Sequence, residues 1–171
     1  ASPYGISKMT SEFYLNFFYQ THRLNYISLR YGNVFGPRQD PSGEAGVVAV
    51  FIGKMLKGET PTINGDGEYI RDYVYVKDVV EANMRAIESN FVGCVNIGTS
   101  KETSVNELFA ALKQVSGNNS IVEKHGPAKP GEAFRSSLDY NLAKKVLGWQ
   151  PKTSVKEGLE LTFAWFKENT F

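Results

Sequence analysis

Apolar residues recur every three or four positions in some stretches and alternate in others, and this change of period divides the chain into helices and strands. Phe13, Tyr14, Phe17 and Phe18 keep to one side of a helix, and Ser2-Pro3 supplies an N-cap hydroxyl before a proline at the first helical position. A helix is therefore predicted as far as His22 or Arg23, with one broad aromatic face buried. Residues 25–31 read as a strand ending at Gly32. Residues 33–46 hold Gly36, Pro37, Pro41, Gly43 and Gly46 and read as a loop, long enough to suggest function. Val47 to Leu56 reads as a buried helix, although its Val-rich start also suits a strand. Residues 61–64 and 69–76 flank Gly65-Asp66-Gly67 and predict a strand pair closed by a tight turn.

A further helix is predicted from Lys77 or Asp78 to Ser89, then a short strand over 94–97. Ser104 with Glu107 and Ser154 with Glu157 have the spacing of capping boxes, opening helices over 104–116 and 154–169. Asp139 caps a short helix that stops at Gly148. Pro127, Pro130 and Gly131 mark a second loop. With no repeat or low-complexity linker, residues 1–171 are expected to form one compact α/β unit.

Composition adds limits. The chain has 171 residues, 42% hydrophobic and 22% charged, the balance of a globular domain with a core of its own. Nineteen Lys+Arg against eighteen Asp+Glu leave a net charge of +1, with no basic stripe for nucleic acid. Cys94 is the single cysteine, which excludes an internal disulfide and a multi-cysteine metal site; no metal is expected. No apolar run is long enough to cross a bilayer. The chain opens without a signal-peptide pattern and without Met, which points to a cytoplasmic protein beginning inside a longer reading frame.

Tyr4 and Lys8 lie four apart, hence one turn apart on one helix face. An ammonium beside a phenol favours the phenolate, which suits a tyrosine acting as a base. Ser2-Pro3-Tyr4-Gly5-Ile6-Ser7-Lys8 with Glu12 resembles the Tyr-x-x-x-Lys helix of extended short-chain dehydrogenase/reductases. The order continues with Leu29-Arg30-Tyr31-Gly32-Asn33-Val34-Phe35-Gly36-Pro37-Arg38 and with residues 43–51. Ile63-Asn64-Gly65-Asp66-Gly67, Arg71-Asp72-Tyr73-Val74-Tyr75-Val76-Lys77-Asp78-Val79 and Pro130-Gly131-Glu132 before Ser136-Ser137-Leu138-Asp139 complete it. The whole chain thereby resembles the C-terminal half of nucleotide-sugar epimerases of the NAD-dependent UDP-glucose 4-epimerase type. The fold this implies is the C-terminal part of a Rossmann-like sheet plus a small α/β substrate-binding lobe.

The resemblance implies roles. Tyr4 is the expected base for the sugar 4-hydroxyl, and Lys8 holds the nicotinamide ribose. The reaction is reversible hydride transfer with NAD through a 4-keto sugar. Gly32 and Val34 match the cofactor segment, and Asn33 the adjoining sugar phosphate. Val47 and Val48 match a helix start that receives the nucleotide. Thr62 and Asn64 match the strand beside the uracil, and Arg71 the arginine on the diphosphate. Lys129 stands where the family carries a second phosphate-binding arginine; it keeps the charge without the bidentate fork, and Arg135 nearby is either a substitute or an exposed side chain. Glu132 matches an acceptor for ribose hydroxyls. Ser136 matches the position that limits sugar size, and its small side chain predicts room for a 2-acetamido group. His22, His125 and Cys94 are given no catalytic role.

None of the sixteen glycines forms a G-x-x-G-x-x-G or G-x-G-x-x-G run. In the family that turn, and a catalytic Ser or Thr, precede the tyrosine, which here is residue four. Expectations follow for the chain alone: poor NAD binding, no turnover, a missing N-terminal Rossmann half as partner, and UDP-sugar as ligand. The first helix, stripped of that half, predicts a homodimer or other self-association, exchange of elements being one route to it. The competing readings are a non-catalytic nucleotide-sugar-binding or self-associating fragment, and half of a related dehydratase or decarboxylase.

Overall fold

The computed structural model describes residues 2–42 and 46–169. Its elements are α1 (Pro3–His22), β1 (Ile27–Tyr31), β2 (Asn33–Phe35), α2 (Val47–Leu56), β3 (Ile63–Asn64), β4 (Ile70–Arg71), β5 (Tyr73–Tyr75) and α3 (Val76–Ile87). They continue as β6 (Gly93–Ile97), β7 (Thr103–Ser104), α4 (Val105–Ser116), β8 (His125–Gly126), β9 (Arg135–Ser136), α5 (Asn141–Leu147) and α6 (Val155–Asn169). The fold is α/β, and its ladders are parallel except one. β1 pairs with β6, β2 with β5 and β3 with β8; β4 lies between antiparallel β7 and parallel β9. No described helix is long and apolar enough to cross a membrane.

The β2–β5 ladder stands between two apolar cores, because successive strand side chains face opposite ways. Phe35, Tyr73 and Tyr75 join a core with Phe51, Ile52, Leu108, Leu112, Leu159 and Phe166 of α2, α4 and α6. Val74, between the two tyrosines, joins the other core with Val79, Val95, Ile97, Leu147 and Trp149. The Trp149 indole donates to the Asp78 carbonyl at 2.9 Å, and the Asp78 carboxylate accepts from the Thr153 amide at 2.9 Å. These bonds fasten the chain after α5 to the start of α3.

Several boundaries follow from the capping chemistry. The Ser104 box closes in both directions, the Glu107 amide donating to the hydroxyl at 3.1 Å and the Ser104 amide to the carboxylate at 2.8 Å. Gly117 and Gly148 end their helices in the left-handed conformation. Asp139 accepts from the Asn141 amide at 2.8 Å, although Tyr140 holds the N-cap position itself.

Other expectations are corrected. The segment read as a loop over 33–46 begins with β2, whose three residues find a parallel partner forty positions on; Glu44 in its middle lies outside the described residues, with Gly43 and Ala45. Residues 61–64 and 69–76 do not pair with each other. The turn between them wraps around a side chain: Asn106 Nδ2 donates to the Asp66 carbonyl at 2.9 Å and to Glu68 Oε1 at 2.7 Å. At Gly67, with φ +77°, a Cβ would sit 1.8 Å from Asn106 Oδ1, so only glycine fits. The arms then diverge, β3 to β8 and β4 to β7 and β9.

The first helix departs furthest from expectation. None of its residues is buried, and Phe13, Tyr14 and Phe17 are all more than half exposed. Its aromatic face meets no other described element. On its other side the Glu12 carboxylate accepts from Arg30 at 2.7 and 2.5 Å and from Ser28 at 3.2 Å, both on β1, and the half-buried Tyr19 ring meets Tyr26 edge-on at 6.3 Å.

Candidate functional site

A cavity of about 300 Å³ opens between the start of α2, strands β3 to β5 and the loop before β9. Thr62 and Asn64 bring a hydroxyl and an amide to one wall, Asn33 borders it from β2, and Gly46 and Val47 bring the start of α2. Among the described residues no side chain caps that helix's first amides, which leaves donors for an anion. Arg71, Lys129 and Glu132 complete the polar lining.

Arg71 is held in place. Its guanidinium donates to its neighbour Ile70's carbonyl at 2.7 Å and to Glu132 Oε1 at 2.7 Å, and it lies 5.9 Å from the centre of the Tyr69 ring. The backbone under it is fixed by Asp72, which is 1% exposed and accepts from the Thr99 amide at 2.7 Å, the Thr99 hydroxyl at 2.6 Å, the Ser100 amide at 3.1 Å and the Leu138 amide at 3.2 Å. One carboxylate thus ties β4–β5 to the end of β6 and to the chain after β9.

The remaining sequence candidates fall elsewhere. Val48 is 1% exposed and belongs to the core beside Phe51. Val34 packs toward the other core. Gly32 has an internal reason to be glycine, since a Cβ there would lie 2.7 Å from the Asp72 carbonyl oxygen. Ser136 is exposed on β9 with Arg71 as its register partner, and it does not line the cavity. Arg135 is exposed and pairs with Glu102, so it offers no second grip on the cavity. His125 binds the Gly65 carbonyl through Nδ1 at 2.7 Å and Glu123 through Nε2 at 2.6 Å, a support for the turn beside β3. Cys94 is half-buried beside Glu12 and Arg30, and burial pushes its thiol up.

Tyr4 and Lys8 share one side of α1 with Lys8 Nζ 5.4 Å from the Tyr4 ring centre, and Tyr4 is 72% exposed. Neither borders the cavity. Sequence reading missed Tyr69, Tyr73 and Val105 as parts of the cavity wall. Tyr73 falls in the segment 69–76, which the sequence reads as one arm of a strand pair and which carries no local sign of a ligand contact.

The model of the NAD dependent epimerase/dehydratase family matches residues 1–98, more than half of the chain. The chain belongs to this family. A UDP-glucose 4-epimerase of Mycolicibacterium smegmatis is 43% identical across 99% of this chain and 54% of its own length. The crystal structure of UDP-glucose 4-epimerase from Thermotoga maritima with UDP-glucose superposes with a TM-score of 0.97 at 51% identity, over 100% of this chain and 55% of that one. That of Thermus thermophilus UDP-glucose 4-epimerase with NAD gives 0.90 at 40% identity, over 98% and 55%. The chain spans about half the length of the relatives it matches. The NAD-dependent epimerase fold is therefore present here in the parts that build the cavity and the Tyr4–Lys8 helix.

The family's cofactor fits these residues at one end only. An exposed phenol and ammonium side by side on α1 suit a nicotinamide ribose and a sugar hydroxyl. No Gly-rich turn for the pyrophosphate occurs among the 171 residues.

Proposed function

We propose that this chain is the nucleotide-sugar-binding half of a NAD-dependent UDP-hexose 4-epimerase, taking the C-terminal, substrate-binding part of that architecture. The observation that carries this reading is the convergence of Asn33, Val47, Thr62, Asn64, Arg71, Lys129 and Glu132 on one cavity. These residues come from distant parts of the chain, and the fold gathers them around a space of about 300 Å³, near the lower bound for small-molecule sites. Thr62 and Asn64 read the uracil edge. Arg71, Lys129 and the uncapped start of α2 take the diphosphate, for which a guanidinium fork and free amides are the matching donors. Glu132 accepts from the ribose hydroxyls when Arg71 turns to phosphate.

Tyr4 exchanges a proton with the sugar 4-hydroxyl, and Lys8 donates to the nicotinamide ribose. NAD, when bound, supplies reversible hydride acceptance. The 171 residues hold only the nicotinamide end of its site, so the chain on its own is proposed to bind UDP-sugar without turning it over. Ser136, small and on the strand beside Arg71, leaves room for a 2-acetamido group, so UDP-N-acetylglucosamine binds as well as UDP-glucose, and Ser136→Tyr selects against the former.

Calorimetric titration of the chain with UDP-glucose, beside a coupled epimerisation assay with added NAD, tests the reading. Saturable binding with no product is expected. Turnover by this chain alone, or no binding, would overturn it.

A further inference from the structure

Tyr73 sits on β5 opposite Asn33 of β2, and it forms part of the cavity wall beside Arg71. The residue is 2% exposed, and its hydroxyl is sealed from solvent with no hydrogen-bond partner among the described residues. Buried hydroxyls almost always find partners, because an unpaired one forfeits the hydration it had in the unfolded chain. Packing does not explain this one. Phenylalanine would fill the same volume and meet Phe35 in the same edge-on contact, with ring centres 6.3 Å apart. The hydroxyl is thus a cost to the fold that a partner from outside the fold would repay.

The surroundings say what kind of partner. Arg71 and Glu132 are the charged groups acting on the phenol, and they are bonded to each other with the Arg71 side chain only 12% exposed. Burial pushes the phenol up to about 12, so at neutral pH it carries its proton and can donate. An anion that draws Arg71 away from Glu132 loosens the pair beside the phenol and brings an acceptor to the same place.

We infer that the Tyr73 hydroxyl donates a hydrogen bond to a phosphate oxygen of a bound nucleoside diphosphate, as a contact distinct from those of Arg71 and Lys129. This rests on the nucleotide reading of the cavity. The base end is excluded as its target because Asn64 lies on β3 and Thr62 just before it, whereas Tyr73 adjoins the cationic end.

Tyr73→Phe in the 171-residue chain is the test, with UDP and uridine as probes and the melting temperature measured alongside. The hydroxyl contact predicts a loss of UDP affinity of roughly tenfold, unchanged uridine binding, and a melting temperature equal to or above that of the parent. Equal UDP affinity in parent and variant overturns the contact while leaving the cavity reading intact, and an equal loss for uridine overturns its assignment to phosphate. A lower melting temperature also overturns it, since the hydroxyl would then have a partner inside the fold. The place for such a partner is the chamber of about 20 Å³ that Tyr73 shares with Gln39, whose Oε1 is also unpaired. Failure of the parent chain to bind UDP overturns both readings together.

Discussion

Arg71 and Glu132 lie 61 positions apart in the chain and meet at 2.7 Å across the mouth of the cavity. The pair holds the guanidinium over the cavity at little further entropic cost to a ligand that takes it over. It also sets a competition, since Arg71 cannot give the same N–H to a phosphate and to Glu132.

Arg71→Ala is therefore expected to weaken UDP binding by roughly ten- to a hundredfold, the range for a charge-assisted hydrogen bond. Lys129→Arg is expected to tighten it by a few fold, because the fork adds bidentate geometry at unchanged charge. Calorimetry on the three chains reads both effects.

Asp72 is a buried carboxylate whose acceptors are fully used by amide and hydroxyl donors. Asparagine keeps the shape but turns an NH2 donor toward those donors. Asp72→Asn is expected to destabilise the fold by about 3 kcal/mol, read as a shift of the urea midpoint with no change in slope. UDP affinity falls with it, because Arg71 and Tyr73 flank this residue.

Two ionisable contacts give opposite pH dependences. Bonds from Arg30 hold the Glu12 carboxyl below its ordinary value. Its contribution is complete above the unfolded carboxylate range and is lost as pH falls through the lowered folded value. His125 is raised by bonding to Glu123 and to the Gly65 carbonyl. Its contribution is complete below the unfolded imidazole range, about 6.5, and is lost as pH rises through the folded value. Amide exchange followed against pH should show α1 loosening on the acid side and the Gly65 turn loosening on the alkaline side. Glu12→Gln and His125→Gln each remove one limb and leave the other.

Phe13, Tyr14 and Phe17 form an exposed apolar surface on α1 together with Thr10. Surfaces of this kind seek cover in water. Sedimentation of the chain is expected to show concentration-dependent association, reduced by Phe13→Ser with Phe17→Ser. A sharp monomer boundary at all concentrations would contradict it.

How much of this was legible beforehand depended on the length scale of the signal. The helices announced themselves through caps, as at Ser104 with Glu107 and at Gly148, because capping is local chemistry. Strands β3, β4, β7, β8 and β9 have two residues each. Two residues carry no period, and their partners lie far off in sequence, so the false hairpin at Gly65-Asp66-Gly67 was the natural local reading. The aromatic spacing of α1 specifies a helix but says nothing of whether a neighbour covers the face. In the cavity, Arg71, Lys129 and Glu132 were legible through their motifs. Tyr73 was not, since the lack of a partner for a buried hydroxyl exists only in three dimensions. Val48 illustrates the reverse, a motif position whose side chain the fold spends on its core.

One cavity is proposed to gather the nucleotide contacts. Amide proton–nitrogen spectra of the chain titrated with UDP test it most directly. Saturable shifts of Thr62, Asn64, Arg71, Lys129 and Glu132 are expected, with the solvent face of α6 unmoved. Saturating UDP that leaves those amides in place, or moves instead the groove along Asn25, Tyr31 and Phe91, would contradict it.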